Sequence, residues 1–197
     1  MKKLVLLLAA VMANISILQA QQTAQEAQVK KELNAVNKND PNAKKEKKEL
    51  RKELRKLEGE DVSSASKAQF TADFGNISNV KWVRSDYFDE ATFMKNGSTS
   101  TAFYDSSSNL VGTTTAKKFS DLPANAQKEI NSKYKDYKKG LVTFYDDNDT
   151  NDTDMLLYNT QFEDADNYFI EVSKNGENSV LLVSTSGNVS YFSPIKS

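Results

Sequence analysis

The sequence contains neither cysteine nor histidine. Without cysteine, no disulfide can hold the fold and no N-terminal cysteine can carry a lipid, so an apolar core must supply the stability. Without histidine, the chain lacks the commonest general base, the commonest zinc ligand and the usual pH switch. Catalysis by a Ser-His-Asp or Cys-His arrangement is therefore excluded.

Long apolar runs are scarce as well, and the one that stands out lies at the N-terminus. Two lysines at residues 2–3 precede an apolar stretch over residues 4–13, far below the ~20 residues that a membrane-spanning helix needs. A small residue, Ala20, then precedes a polar segment. We expect residues 1–20 to be a secretory signal peptide that is cleaved after Ala20. The mature chain is then periplasmic or secreted, and is not an integral membrane protein.

Aromatic residues are absent from residues 21–60, which carry 11 basic and 8 acidic side chains. Residues 61–197 carry 13 basic and 19 acidic ones, and this asymmetry indicates two regions with different roles. In the first region, two sets of apolar residues repeat at i, i+4, i+7, which predicts two short amphipathic helices. These sets are Val29, Leu33, Val36 and Leu50, Leu54, Leu57.

The second of these helices is predicted from about Pro41 to Glu58, because Asp40 is a good N-cap and Gly59 is a good stop. We interpret residues 21–60 as a charged, partly helical linker or tail. Two alternatives stay open: a coiled-coil seam that docks on a partner, and electrostatic attraction to an anionic surface. Nucleic-acid binding is disfavoured, because the stretch offers no aromatic ring for stacking on bases.

From Ser63 onward the sequence predicts helices and strands in alternation. One helix has candidate N-caps at Ser63, Ser64 and Ser66 and is stopped by Gly75, and a second is opened by Leu122-Pro123. Asn96-Gly97 and Asn175-Gly176 are strong signals for tight β-hairpins. Strands are predicted over residues 80–82, 91–95, 101–105, 110–115, 141–145, 167–173, 179–184 and 188–192.

The two halves of residues 61–197 share one order of elements, a helix followed by strands that are joined at Asn-Gly and at a short Ser-rich turn. Phe93 is matched with Phe169, 76 positions on, and Asn109 with Asn188, 79 positions on. We therefore predict an α+β fold made of two tandem helix-plus-antiparallel-sheet repeats, at about 63–116 and 117–193, after the helical basic N-terminal segment.

A block of residues in this region resembles a known family. The block Phe74-Gly75-x-Ile77-x-x-Val80-x-Trp82 precedes Ala91-x-Phe93, Ala102-x-Tyr104-Asp105 and Leu122-Pro123. In this order the motifs resemble the PepSY-like, beta-lactamase-inhibitor-like proteins exported by Bacteroidetes-type bacteria, over roughly residues 66–193. The resemblance implies two tandem units, each with a helix on an antiparallel sheet. It also implies binding rather than catalysis, with inhibition of an envelope enzyme as one form of it.

The acidic run over residues 146–154 contains the one candidate metal site. Asp147, Asp149 and Asn151 place oxygen ligands at alternate positions, as a calcium ion prefers. However, Asp152 and Tyr158 stand where an EF-hand loop needs glycine and glutamate. We expect a solvated acidic loop, with a weak calcium site at these three residues as the alternative and no cofactor elsewhere.

Two Ser-x-x-Lys matches, Ser64 to Lys67 and Ser193 to Lys196, lack the companion motifs of penicillin-recognising enzymes. No catalytic residue is assigned, and we expect the protein not to be an enzyme. An enzyme that works with paired carboxylates alone ranks third among the functional hypotheses.

Aromatic residues are numerous enough that some are candidates for a recognition surface as well as for the core. The candidates are Tyr87, Phe88, Tyr145, Tyr158, Tyr168, Tyr191 and Phe192. We expect an exported, non-enzymatic binding module with an unknown protein partner, which inhibits or modulates an envelope or extracellular enzyme. The alternative is a structural or adaptor protein that is tethered through its basic N-terminal helix.

Overall fold

A computed structural model describes residues 21–37, 40–163 and 165–195. The chain divides into two compact units. The first holds the described residues up to Asp61 together with Arg84–Tyr87, and the second holds Val62–Val83 and the chain from Phe88 onward. The predicted signal peptide lies outside the described residues.

The first unit contains two helices, α1 (residues 21–35) and α2 (Ala43–Glu58). Helix α2 matches the predicted helix to within two residues and ends at Gly59, whose φ of 84° lies in the left-handed region that glycine tolerates. Leu54 of the predicted apolar stripe is fully buried, and its neighbours in the stripe are half-buried. The stripe is therefore a packing surface.

Two arginines of α2 are buried together with Leu54, because Arg51 and Arg55 are only 8% and 4% exposed. The Arg55 guanidinium donates to the Tyr87 carbonyl over 3.1 Å and to the Glu58 carboxylate over 3.2 Å. Burial raises the pKa of Glu58, against the opposing effect of Arg55 and Lys30. These two arginines are therefore part of the packing of the first unit, where a buried guanidinium needs hydrogen-bond partners.

The second unit contains an eight-stranded sheet, two α-helices and a separate pair of short strands. In chain order the elements are α3 (Ser64–Phe74), β1 (Lys81–Arg84), β2 (Asp89–Lys95), β3 (Ser98–Tyr104), β4 (Leu110–Lys117), a 3-10 turn (Phe119–Asp121), α4 (Ala124–Lys133), β5 (Lys138–Asp147), β6 (Leu156–Leu157), β7 (Thr160–Gln161), β8 (Asn167–Lys174), β9 (Glu177–Ser184) and β10 (Val189–Pro194). The large sheet has the order β1-β2-β3-β4-β5-β8-β9-β10, and its neighbours from β2 to β10 pair antiparallel. The predicted α+β class with a large antiparallel sheet is confirmed.

Both predicted Asn-Gly hairpins are present. Asn96 and Gly97 have φ values of 51° and 79°, and Asn175 and Gly176 have values of 54° and 85°. Two consecutive positive φ values are what a two-residue turn needs to match the twist of the strands, and asparagine and glycine reach them at the least cost.

Helices α3 and α4 pack on one face of the sheet, here called the helix face. Residues paired across the strands share a face, and one such row runs Phe93–Ser100–Thr115–Phe144–Tyr168–Val183. At one end of this row Phe93 packs on α3, in a core of Phe70, Ala91, Phe93, Ala102 and Tyr104. At the other end Val183 packs on α4, in a core of Leu122, Ala126, Ile130, Val142, Ile170, Val172, Leu181 and Val183.

The chain between β5 and β8, residues 148–166, is here called the acidic insertion, and it covers part of the opposite face. Phe162 is only 5% exposed, and its ring centroid lies 5.1 Å from Tyr145, 4.9 Å from Phe169 and 5.9 Å from Phe192. Met155, from the same insertion, is fully buried. The segment that follows the acidic run over residues 146–154 therefore forms part of a core.

The same alternation of faces corrects one matched pair. Phe93 lies on the helix face, whereas Phe169 lies on the opposite face beneath Phe162. Their match, 76 positions apart, is therefore wrong. Val172, 79 positions after Phe93, is the residue that packs under a helix in the corresponding way.

Helix α3 is held at its N-terminus by a buried carboxylate. Of the three candidate N-caps, Ser63 is the one that caps the helix, and its hydroxyl accepts a hydrogen bond from the Ala65 amide over 3.1 Å. The Ser63 amide and the Ser66 hydroxyl both donate to Asp89, over 3.1 and 2.7 Å. Asp89 is fully buried, and a negative charge is favourable at this end of a helix.

None of the helices within the described ranges has both the length and the apolar character that crossing a membrane requires.

Candidate binding surface

The middle of the helix face, around strand β4, lies between the two helix-covered cores. The rings of α3 contact Trp82 of β1 and Phe93 of β2, and the core of α4 draws on β5, β8 and β9. The helix-face residues of β4, Thr113 and Thr115, are half-exposed. We call this strip the central trough and define it by Lys95, Ser100, Thr113, Thr115, Lys117, Phe144, Asp146, Asp166 and Tyr168.

The centre of the trough is an aromatic pair. Phe144 and Tyr168 are direct cross-strand partners, with ring centroids 4.7 Å apart and planes inclined by 47°. Tyr168 leans on the core under α4, whereas Phe144 is half-buried and belongs to neither helix-covered core. Beside the pair, the hydroxyls of Ser100 and Thr115 are hydrogen-bonded over 3.0 Å. The trough therefore presents an aromatic anchor with polar neighbours on a rigid sheet.

One end of the trough is basic. Lys117 continues β4 beyond Thr115, and its ammonium group lies 5.9 Å from the centroid of the Phe144 ring. Lys95 continues β2 beyond Phe93, with its ammonium group 5.2 Å from the centroid of the Phe74 ring. Both lysines are exposed. The rings attract the ammonium groups and hold them above the sheet.

The other end of the trough is acidic. Asp146 pairs with Thr113, and Asp166 directly precedes β8, whose first residue, Asn167, pairs with Tyr145. The Asp166 carboxylate accepts a hydrogen bond from the Asp147 amide over 2.9 Å. Burial and the nearby Asp166 carboxylate raise the pKa of Asp146, while Lys95 and Lys117 oppose that rise. The trough therefore has a basic end and an acidic end, and the aromatic pair lies between them.

The calcium candidates adjoin this acidic end. The Asp147 carboxylate accepts a hydrogen bond from the Tyr145 hydroxyl over 2.9 Å, and the Asn151 amide donates to the Leu110 carbonyl over 3.0 Å. Burial raises the pKa of Asp147, assisted by Asp149. Within the described ranges, no three acidic side chains are grouped as a metal ion would require. Calcium binding stays a prediction, and the hydrogen bonds show that Asp147 and Asn151 also order the loop.

The Ser-x-x-Lys matches fall at dissimilar places. Ser64 and Lys67 are exposed on the first turn of α3. Ser193 is buried in β10, where its hydroxyl donates to the Pro194 carbonyl over 3.2 Å, and Lys196 lies outside the described residues. A serine nucleophile needs an adjacent base to activate it, and the structure shows no such contact for Ser64 or Ser193 within its described part.

The aromatic candidates are divided between the core and the surface. Phe88 and Tyr145 are buried, and Tyr191 is 60% exposed on the edge strand β10. The others are half-buried: Tyr87, Tyr158, Tyr168 and Phe192. Only Tyr168 lies in the central trough, and its partner Phe144 is absent from the candidates. The sequence alternation with Val142 indicates that Phe144 lies on the core side of its strand. Its exclusion from both cores depends on the positions of the helices, which the sequence pattern does not give.

A second concavity lies beside α3. It has a volume of about 400 Å³ and is lined by Lys67, Phe70, Thr71, Gly75, Asn76, Ile77, Ser78, Val80 and Trp82. Most residues of the Phe-Gly…Trp block therefore line this groove or pack in the core beneath it. The block thus has a structural role that does not depend on where a partner binds.

Comparison with known proteins finds structural relatives. No protein-family model and no curated protein matches the sequence. A DUF2874 family protein from Bacteroides uniformis aligns with a TM-score of 0.56 at 13% identity, over 68% of this chain and 91% of its own. A protein of Bacteroides eggerthii assigned to the periplasm aligns with a TM-score of 0.56 at 14% identity, over 68% and 90%. A BLIP-like protein from Bacteroides fragilis aligns with a TM-score of 0.53 at 16% identity, over 70% and 89%.

These similarities show a shared fold. The expected likeness to beta-lactamase-inhibitor-like proteins of Bacteroidetes-type bacteria is confirmed at that level, and the likeness to PepSY domains stays a prediction.

Proposed function

We propose that this chain, which has the fold of BLIP-like and DUF2874 family proteins of Bacteroides, is an exported, non-enzymatic binding module. In this proposal its central trough contacts a protein partner, and the contact inhibits or modulates an envelope or extracellular enzyme. Phe144 is the observation that carries the proposal. It is a half-exposed aromatic side chain outside both cores, on a rigid sheet and between opposite charges, as is typical of binding anchors.

Export is supported by two independent observations. Residues 1–20 have the charge and apolar pattern of a signal peptide cleaved after Ala20, and one structural relative is assigned to the periplasm. The BLIP-like relative supports a protein as the bound partner. A folded protein without disulfides is compatible with this compartment, because two helix-covered cores and the core under the insertion supply the packing.

We also propose that the second unit arose by duplication, as repeats over about 63–116 and 117–193, with residues 21–60 as a separate segment. A constant offset of 79 residues supports it: Ala91, Phe93, Ala102 and Tyr104 of the first core correspond to Ile170, Val172, Leu181 and Val183 of the second. The same offset relates the two Asn-Gly turns. The junction of the repeats is the β4–β5 pair, so the trough lies where two similar halves meet.

The test is capture of a partner on immobilised mature protein from the envelope fraction of the producing bacterium. Phe144→Ala is compared with Tyr191→Ala, which removes an exposed aromatic ring elsewhere on the sheet. We expect wild type and Tyr191→Ala to retain the same protein, and Phe144→Ala to lose it while keeping its circular dichroism spectrum. Equal retention by both variants would contradict a trough-mediated contact. An activity assay on the captured enzyme then measures inhibition.

The adaptor alternative depends on the lysines of α2 that remain exposed, Lys44, Lys45 and Lys56. It is weakened by the engagement of other cations of the helix within the first unit, such as Lys52, which forms an ion pair with Asp86 over 2.9 Å. If the protein is an adaptor, replacing the three exposed lysines by glutamine should release it from the envelope fraction. If the central trough binds the partner, the same replacement should leave the partner bound.

A further inference from the structure

We infer that the central trough receives an extended segment of its partner in which one basic and one acidic side chain flank an apolar side chain, all three at alternate positions. This inference rests on the proposed function and specifies the chemistry of the partner. It follows from the spacing of the trough, from its width and from the sign of the charge at each end.

The spacing follows from the register of β4 and β5. Val142 faces Lys117, Phe144 faces Thr115, and Asp146 faces Thr113. Successive rows are therefore two residues apart, about 6.6–6.8 Å along a strand. An extended segment laid along β5 repeats its own side chains at the same interval. Residues i, i+2 and i+4 of the partner thus reach the acidic, aromatic and basic rows in turn.

The width of the trough selects a single segment rather than a flat surface. Helix α3 packs over β1, β2 and β3, and α4 packs over β5, β8 and β9. Their axes are separated by about four strand spacings, roughly 19–20 Å, and each helix with its side chains is about 10–12 Å wide. The gap that remains is about one chain wide. A second copy of the sheet would meet the two helices before it reached Phe144.

The charges determine what the segment carries. Lys95 and Lys117 lie over aromatic rings, and in the described structure neither forms an ion pair with a carboxylate. The Asp166 carboxylate lies near Asp146 and raises the pKa of that residue, so a cation beside Asp146 is favoured. An acidic group of the partner is therefore favoured beside the lysines, and a basic group beside the aspartates. Complementary charge of this kind fixes register and rejects other segments.

The experiment is selection of a random peptide library, displayed on phage, against the mature protein and three variants. Lys95→Glu/Lys117→Glu makes both ends of the trough acidic. Lys128→Glu/Lys135→Glu is the matched control, since it changes the net charge equally at exposed lysines in and just after α4. Phe144→Ala removes the anchor, and a circular dichroism spectrum equal to that of wild type guards against loss of fold.

We expect wild type and the lysine control to enrich peptides in which an apolar residue has a basic residue two positions to one side and an acidic residue two positions to the other. Lys95→Glu/Lys117→Glu should instead enrich peptides with basic residues on both sides, and Phe144→Ala should enrich the pattern at least tenfold less. Peptides without charge order, or identical selection by the two charge variants, would overturn the inference and leave a binding module that uses another surface. Failure to enrich any peptide, together with failure to capture a partner, would overturn the proposed function as well.

Discussion

Replacing Phe162 by alanine tests whether the acidic insertion is part of the fold. The ring is 5% exposed and touches three other aromatic rings, with centroid separations between 4.9 and 5.9 Å. Replacing a buried phenylalanine by alanine lowers the free energy of unfolding by about 3–5 kcal/mol. The insertion can partly collapse into the space, so we expect the low end of that range, about 3 kcal/mol.

The assay is urea unfolding of the mature protein, monitored by tyrosine and tryptophan fluorescence, with Glu163→Ala as the control. Glu163 is the exposed neighbour of Phe162, and its replacement should change the free energy of unfolding by less than about 0.5 kcal/mol. An equally small change for Phe162→Ala would refute the packing of the insertion against the sheet.

Four further predictions concern other parts of the chain. Gly112→Ala should lower the free energy of unfolding by about 1–3 kcal/mol in the same assay, because its Cβ would lie 2.5 Å from the Tyr145 hydroxyl oxygen; a neutral result would contradict this contact. Leu54→Ala should lower the free energy of unfolding by about 2–5 kcal/mol, since Leu54 is a fully buried residue of α2. An unchanged free energy of unfolding would contradict this and would indicate that the segment is solvated. Asp146→Asn should stabilise the protein near pH 7 by up to about 1 kcal/mol. Because the pKa of Asp146 is raised in the folded protein, this residue contributes most to stability below its ordinary pKa of 3.8, and that contribution is lost as the pH rises through the folded pKa. The stability gained by Asp146→Asn should therefore vanish in acid. A gain that does not depend on pH would contradict this. Calorimetry with calcium at low ionic strength should give heat and a higher melting temperature only if the acidic insertion binds the ion, and no heat would refute the site.

Features set by a few neighbouring residues could be predicted from the sequence. The Asn-Gly turns need positive φ at two successive residues, which few other residue pairs supply. Helix α2 ends at Gly59, and α3 begins at Ser63, because caps act over one turn of chain. The alternating apolar and polar residues of the second unit likewise predict antiparallel strands.

Features set by distant contacts could not be predicted. Phe93 and Phe169 were matched by residue type, although a difference of 76 rather than 79 positions puts them on opposite faces. Phe162 stands among polar residues, and only the fold brings Phe169 beneath it. The trough joins residues from β2, β4, β5 and β8, so its polarity depends on strand order, which local patterns do not contain.

The most direct test of the central claim is site-specific photo-crosslinking in the native envelope. A photoreactive amino acid replaces Thr115, inside the trough, or Met94, which is 60% exposed on the opposite face of the sheet. We expect position 115 to give one discrete crosslinked protein, which disappears when Phe144→Ala is added, and position 94 to give none. The same products from both positions, or a product from position 115 that survives Phe144→Ala, would contradict binding through the central trough.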